Sequence, residues 1–127
     1  RTGDVAAASL YQKGVDFLYQ SRYLESVVPL HEAVDADPSF AMAHARLAEA
    51  HMYTGHDREA LDSVRKAMDN LLAHSERLTH ADRTFITALN GRINNRPEES
   101  IRAYEEMLAD KGRHVITCVI RLFNSCN

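Results

Sequence analysis

Histidine and cysteine are the residues of this chain with the greatest capacity for chemistry. Seven His and two Cys occur among its 127 residues. His44 and His51 would lie about 10 Å apart along a helix that rises 1.5 Å per residue, whereas each ligand of a zinc ion must come within about 2.1 Å of it. The run HEAVD at His31 begins like the helix of a zinc protease, but Asp35 stands where the second His is needed. These spacings favour packing histidines over a metal site.

Cys118 is the candidate nucleophile, because His114 precedes it by about one helical turn. Such a nucleophile needs a base that a third group orients, and no third group is evident near the pair. A Cys in an apolar run is usually a small core residue, and the spacing of Cys118 and Cys126 matches no metal or redox motif. A thiol enzyme is therefore the remote alternative, and we expect no catalytic residue, no cofactor and no metal.

The charge and hydropathy of the chain argue against nucleic acid and membrane as partners. The net charge is −3 and the isoelectric point about 6.2, and no Lys/Arg run provides a basic surface. No apolar run approaches the roughly 18 residues of a membrane span, and no signal peptide is evident at the start. We expect a cytoplasmic location. Because the chain begins at Arg1 rather than Met, we also expect it to be part of a longer protein.

Apolar side chains recur along the chain at intervals of three and four residues, which indicates helices. These helices would carry the histidines described above. Helix starts are indicated at Asp57, which can accept free N–H groups, at Thr79 with Asp82 as a capping-box variant, and at Pro97. Short connections require neighbouring helices to fold back as antiparallel pairs. The pattern predicts helices at about 4–20, 23–36, 39–54, 57–74, 80–94 and 97–111.

The helix pairs repeat along the chain with a period of 34 residues. Gly14 aligns with Ala48, and 48 − 14 = 34. The next equivalent is Ala88, and 88 − 48 = 40, so six residues are inserted before the third unit. The run from Met68 to Leu78 predicts that the preceding helix is prolonged. Small side chains let paired helices cross closely, and the predicted crossing pairs are Gly14 with Ser26, Ala48 with Ala60, and Ala88 with Ser100.

This pattern resembles the tetratricopeptide repeat, which reads Trp-x2-Leu-Gly-x2-Tyr, then Ala-x3-Phe, then Pro. The matching slots hold Leu10, Gly14, Phe17, Ser26, Leu30, Ala33 and Pro38 in the first unit, Leu47, Ala48, His51, Gly55, Ala60, Val64 and Ala67 in the second, and Ala88, Ser100, Tyr104 and Met107 in the third. The third unit is similar to a variant found in the modules of bacterial signalling and regulatory proteins and in the family of tetratricopeptide repeat protein 38. The chain departs from this variant at Asn95, where Gly is expected, and near Gly112, where Pro is expected.

The resemblance implies an all-α fold, an α-solenoid of three antiparallel helix pairs followed by a C-terminal capping helix. One domain would cover residues 1–127, with repeats at about 7–40, 41–74 and 81–114 and a capping segment at 115–127. Within that segment we expect a helix from about Val115 to Phe123 that covers the last pair. Its outer face is too apolar for a good cap, so either more chain follows or this segment forms a homo-oligomer with a second copy.

In this repeat family the first helices of the units line a concave groove. The resemblance assigns to this groove five slots per unit, which are Ala8, Tyr11, Val15, Leu18 and Tyr19, then Met42, Ala45, Glu49, Met52 and Tyr53, then Asp82, Phe85, Leu89, Arg92 and Ile93. So apolar a set implies a protein–protein interaction module, or scaffold, that binds a peptide or helix of a partner protein. The carboxylate clamp that some members use is disfavoured, because Arg46 alone has suitable chemistry among its positions.

Other interpretations of the same residues stay open. The groove residues could form the core between helices, the chain's own tail could fill the groove, or the groove residues could mediate self-association. The chain would then be a structural segment of a larger signalling protein.

Overall fold

The computed structural model describes the backbone of residues 2–109 and the side chains of residues 5–109. The predicted fold class is confirmed for this part of the chain, which is an all-α, solenoid-like stack of antiparallel helix pairs and contains no strand. Its helices are α1 (Thr2–Tyr19), α2 (Tyr23–Ala36), α3 (Ala41–Tyr53), α4 (Asp57–Ala73), α5 (His80–Ile93) and α6, which begins at residue 97 and is described up to residue 109. The capping segment 115–127, with Cys118 and Cys126, and His114 lie outside the described residues.

Each helix pair turns through the same hydrogen-bonded motif. One residue in each turn adopts a left-handed conformation, and the φ angles are 59° at Ser21, 78° at Gly55 and 58° at Asn95. The next amide donates to the carbonyl five residues earlier, as Arg22 to Phe17 at 2.9 Å, His56 to His51 at 2.9 Å, and Arg96 to Gly91 at 2.7 Å. These are Schellman motifs, in which Gly or Asn is the favoured left-handed residue. Asn95 therefore makes this turn at the position where the repeat variant has Gly.

Ser21→Gly is expected to raise the free energy of unfolding by about 0.5–1 kcal/mol. A non-Gly residue in the left-handed region carries a steric cost of about 1–2 kcal/mol, part of which the extra freedom of Gly in the unfolded chain offsets. The matched change is Gly55→Ala, which places a Cβ on a residue with φ of 78° and should destabilise by about 1 kcal/mol. Urea denaturation of both variants tests the prediction, and it is wrong if the two changes shift stability in the same direction.

The predicted crossing points of the paired helices are buried. Leu30 packs directly over Gly14, and a Cβ built there would lie 2.6 Å from one of its methyl carbons. Ala48 and Ala60 are both buried at the second crossing. At the third, the buried Ser100 hydroxyl donates to the Ala88 carbonyl at 2.6 Å. Small residues thus allow close approach, and one hydrogen bond ties α6 to α5.

The prolonged helix predicted from Met68 to Leu78 is wrong. The helix α4 ends at Ala73, and a short 3-10 helix, Ser75–Arg77, follows. The chain turns there because Leu78 packs inward against the main apolar cluster. Arg83 fixes the turn by donating to the carbonyls of Ser75 at 3.1 Å and Leu78 at 3.0 Å. The capping box of Thr79 and Asp82 then starts α5 as predicted, with the Asp82 amide 3.0 Å from the Thr79 hydroxyl.

Candidate binding groove

The predicted groove residues divide by burial, and one group belongs to the core between helices. Val15, Leu18, Met42, Ala45 and Leu89 are all buried. Met42, Ala45 and Leu89 share one apolar cluster, and Leu18 belongs to another with Leu30 and Leu47. These side chains hold the units together, and apart from Met42, which also lines a cavity, they offer no surface to a partner.

The middle of the face formed by α1, α3 and α5 holds a cluster centred on Arg46. Its guanidinium donates to Glu49 at 2.9 Å and lies 4.3 Å from the centre of the Phe85 ring. The side chains of Arg46 and Glu49 are only 17% and 15% exposed. Tyr11 lies beside Arg46 and contacts the Phe40 ring, with the ring centres 4.8 Å apart. The centre of this face is therefore polar and aromatic rather than purely apolar.

The protonation states within this cluster follow from burial and from neighbouring charge. Burial by itself lowers the pKa of Arg46, but hydrogen bonds and charge interactions with Glu49 and Tyr11 outweigh it and raise that pKa. Burial raises the pKa of Tyr11, although Arg46 acts in the opposite direction. The cluster is thus a charged guanidinium held by a carboxylate and a neutral phenol. The Nε atom of Arg46 is buried and has no hydrogen-bond partner among the described residues.

The second group of predicted groove residues lies at the C-terminal ends of the same three helices. Tyr19 is 74% exposed and Tyr53 46% exposed. The Tyr53 ring stacks on Tyr23, with the ring centres 4.6 Å apart. Arg92 is exposed beside the half-buried Ile93, and Met52 is also half-buried. This end of the face therefore offers accessible aromatic surface, whereas the first group of groove residues is buried.

A cavity of about 310 Å³ opens at the opposite end of the face, and we call it the N-terminal hollow. It brings together Ala8, Met42 and Asp82, which are the second slots of the three units. We call its apolar lining residues the floor, namely Phe40, Ala41, Met42 and Leu78, and its polar lining residues the rim, namely Asp37, Ser39, Asn70, His74, Arg77 and Asp82. This volume is at the lower end of the range for ligand sites, about 300–1,000 Å³.

Hydrogen bonds hold the rim of the N-terminal hollow in place. The Asp37 carboxylate accepts from the Ser39 amide at 3.1 Å and from the Ser39 hydroxyl at 2.7 Å. The Asn70 amide donates to the Pro38 carbonyl at 3.2 Å, which links the α2–α3 connection to α4. Counting repeat positions along the first helix of each unit does not identify Asp37, Ser39 or Asn70, because these residues lie outside those helices. The six-residue insertion, residues 75–80, is the sequence signal for part of the lining, because it supplies Arg77 and Leu78.

A larger cavity, of about 620 Å³, lies between α4 and α5. Its lining includes charged and amide side chains, among them Asp62, Arg65 and Asn94. Arg65 and Lys66 both pair with Asp62, and these charges lower the pKa of its exposed carboxyl. We interpret this cavity as a solvated surface, because Asp62 and Arg65 already pair with each other.

His44 and His51 lie on the other side of α3 and help to line a cavity with α2 and α4. Burial lowers the pKa of His44, although its Nε2 lies 2.8 Å from the Pro38 carbonyl. Burial also lowers the pKa of His51, and the neighbouring His56 adds to the effect. The Nδ1 of His51 is buried without a hydrogen-bond partner among the described residues. Both imidazoles are therefore neutral packing groups at neutral pH.

Acidification below pH 6.5 is expected to lower the free energy of unfolding. The unfolded chain binds protons at the ordinary His pKa of about 6.5, whereas folding depresses the pKa of both His44 and His51. Their contribution is complete above pH 6.5 and is lost as the pH falls through the folded values. If the folded chain bound one whole proton fewer than the unfolded chain, the free energy of unfolding would change by roughly 1.4 kcal/mol per pH unit. Each histidine contributes a fraction of this slope.

Urea denaturation between pH 7.5 and 5.5 measures this dependence. Groups that face His44 are Lys66, Asp37 and Asp62, and those that face His51 are His56, Glu59 and His31. The double variant His44→Gln, His51→Gln should show a flatter pH dependence, and Gln can keep the donor to Pro38. An unchanged slope in this variant would rule out the two histidines as its source.

Residues 2–109 contain neither a membrane-spanning helix nor a metal site. No helix described there is both long and apolar enough to cross a membrane. No three His, Cys, Asp or Glu side chains of that region are placed to hold a metal ion.

In comparisons of the sequence with models of known protein families and with curated proteins, nothing matches.

Proposed function

We propose that this chain is a protein–protein interaction module of the tetratricopeptide type, which binds a segment of a partner protein along the face formed by α1, α3 and α5. The observation that carries the proposal is the N-terminal hollow, in which the second slots of all three units meet around an apolar floor. Recognition sites of this kind combine an apolar cavity with a few fixed polar groups. The sequence resemblance implies a signalling or regulatory protein as the setting for such a module, and a cytoplasmic location is part of the proposal.

The bound segment would be anchored at its two ends. An apolar side chain of the partner fits the floor made by Phe40, Met42 and Leu78, while Asp37, Asp82 and Arg77 on the rim offer hydrogen bonds and charges to its backbone. The exposed Tyr19 at the other end is typical of residues that dominate binding energy. Ala8 and Tyr19 are about 16 Å apart along α1, which about five residues of extended peptide would span.

Selection from a random peptide library with the full chain tests this proposal. Ala8→Phe fills the hollow from an exposed position, and its control is Ala6→Phe, which is exposed on the same helix but does not line the hollow. Selected peptides should bind the wild-type chain and the control equally and Ala8→Phe at least about tenfold more weakly, a change of about 1.4 kcal/mol. Tyr19→Ala should weaken the same peptides by about 1–2 kcal/mol.

Fluorescence polarisation with each purified variant gives the dissociation constants. Circular dichroism shows that the variants keep their helical content. The proposal is wrong if no peptide is enriched, or if the enriched peptides bind Ala8→Phe as well as they bind the wild-type chain.

A further inference from the structure

Two carboxylates stand on the rim of the N-terminal hollow, and they come from different parts of the fold. Asp37 follows the end of α2, whereas Asp82 lies in the first turn of α5. Both residues are half-buried, while Arg77, which also belongs to the rim, is exposed. The rim therefore holds two half-buried negative charges against one exposed positive charge.

Neither carboxylate forms an ion pair with another side chain of residues 5–109. The Asp37 carboxylate accepts the Ser39 amide and hydroxyl through the same oxygen, Oδ1. The Asp82 carboxylate accepts the Thr79 amide over a long 3.4 Å. Burial and, to a smaller extent, the charge of Asp82 raise the pKa of Tyr11, which places the Asp82 carboxylate near α1. Within the described region, neutral hydrogen-bond donors alone thus stabilise the two negative charges.

The rest of the face formed by α1, α3 and α5 does not balance these charges. Arg46 pairs with Glu49 at 2.9 Å, so the cluster at the middle of the face is neutral as a whole. Arg92 is exposed near the C-terminal end of α5. It lies about 15 Å from Asp82 along the helix axis, which is beyond the screening length of about 8 Å at physiological salt. The hollow therefore keeps a negative charge of its own.

A segment that covers the hollow would remove water from both carboxylates. Removing a charge from water costs free energy unless new partners replace the water. Backbone N–H groups of the segment would provide part of this compensation, whereas a Lys or Arg side chain provides hydrogen bonds and the opposite charge together. An apolar residue alone would fill the floor and leave Asp37 and Asp82 without a cation.

We propose that the partner residue which fills the floor has a Lys or Arg within two positions of it, and that this cation pairs with Asp37 or Asp82. The inference rests on the proposed function, because it specifies the kind of segment that the same hollow binds. Two residues of extended peptide span about 7 Å, which the long side chain of Lys or Arg can cover. Arg77 opposes such a cation only weakly, because its exposed charge is screened by salt more than the half-buried carboxylates are.

Peptides selected by the full chain from the random library test the inference first by their composition. Alanine substitution along an enriched peptide identifies its apolar anchor. Lys or Arg should occur within two positions of that anchor more often than in the unselected library. A version with Gln in place of this basic residue should bind the wild-type chain about fivefold more weakly, as expected for one partly exposed ion pair.

The double variant Asp37→Asn, Asp82→Asn tests whether the rim carboxylates cause this preference. Asn keeps an oxygen that can accept the Ser39 or Thr79 amide but carries no charge. In fluorescence polarisation the double variant should bind the basic peptide and its Gln version with equal affinity. The control, Asp16→Asn, Asp69→Asn, removes two exposed charges that do not line the hollow, and it should keep the preference for the basic peptide. If circular dichroism shows that the double variant loses helix, each single variant should still show a reduced preference.

Three results would overturn the inference alone. The enriched peptides lack Lys and Arg near the anchor, or the two peptide versions bind the wild-type chain equally, or the Asn variants keep the full preference. In each of these cases, weaker binding to Ala8→Phe would still support the proposed function. If no peptide is enriched, the proposed function is wrong and the inference fails with it.

Discussion

Gly14→Ala is expected to destabilise the chain by about 1–3 kcal/mol, although Ala is the better helix former. At an ordinary helical position the change would stabilise by about 1 kcal/mol. Here the new Cβ would lie 2.6 Å from one methyl carbon of Leu30 and closer still to its Cγ. Leu30 is fully buried, so it cannot move aside without disturbing α2. The sign of the effect therefore reports whether α1 and α2 cross at this point.

A double-mutant cycle with Leu30→Ala separates the steric clash from other effects. Leu30→Ala alone should cost about 2–5 kcal/mol as a cavity in the core. In the Gly14→Ala background its cost should be smaller, by at least about 1 kcal/mol, because the same truncation relieves the clash. Urea denaturation of the four chains gives the coupling energy. Additive effects, or a stabilising Gly14→Ala, would show that the helices do not meet there.

Arg46→Ala is expected to cost about 2–3 kcal/mol of unfolding free energy. The substitution leaves the carboxylate of Glu49 mostly buried without its partner and removes the cation–π contact with Phe85. Breaking a fully buried ion pair costs about 3–5 kcal/mol, and the residual exposure of this pair reduces the figure. Thermal and urea unfolding of the variant both measure the loss.

The matched control for this change is Arg65→Ala. Arg65 also pairs with an acidic residue three positions away, but its side chain is 70% exposed. A surface pair of this kind contributes at most about 1 kcal/mol, so the control should stay close to the wild-type stability. The double change Arg46→Leu, Glu49→Leu should recover most of the loss, because it removes both buried charges. Equal losses for Arg46→Ala and Arg65→Ala would contradict the buried cluster.

The sequence predicted the helix pairs well because periodicity and turn signals are local. The capping box at Thr79 and the crossing at Gly14 were found in this way. The left-handed turns at Ser21 and Asn95 were not, since neither residue is a Gly and the hydrogen bonds that stabilise these turns appear only in the structure.

The groove was harder to predict because slot positions do not determine burial. Val15 and Tyr19 are both groove positions of the first unit, yet Val15 is in the core and Tyr19 is exposed. How deeply each position is buried depends on how the units stack. Arg46 is outside the counted slots, and its long side chain reaches the face from the neighbouring position. Arg77 and Leu78 of the N-terminal hollow come from an insertion, for which the repeat pattern provides no template.

A titration of the ¹⁵N-labelled chain with a library-selected peptide tests most directly whether this face binds a partner. We expect the largest changes in amide chemical shift at Ala8, Ser39 and Met42 around the N-terminal hollow, with smaller changes near Tyr19 and Tyr53. Amides on the outer face of α2, such as Leu24 and Val28, should not shift. Changes confined to α2 or α6, with none at the N-terminal hollow, would contradict this expectation.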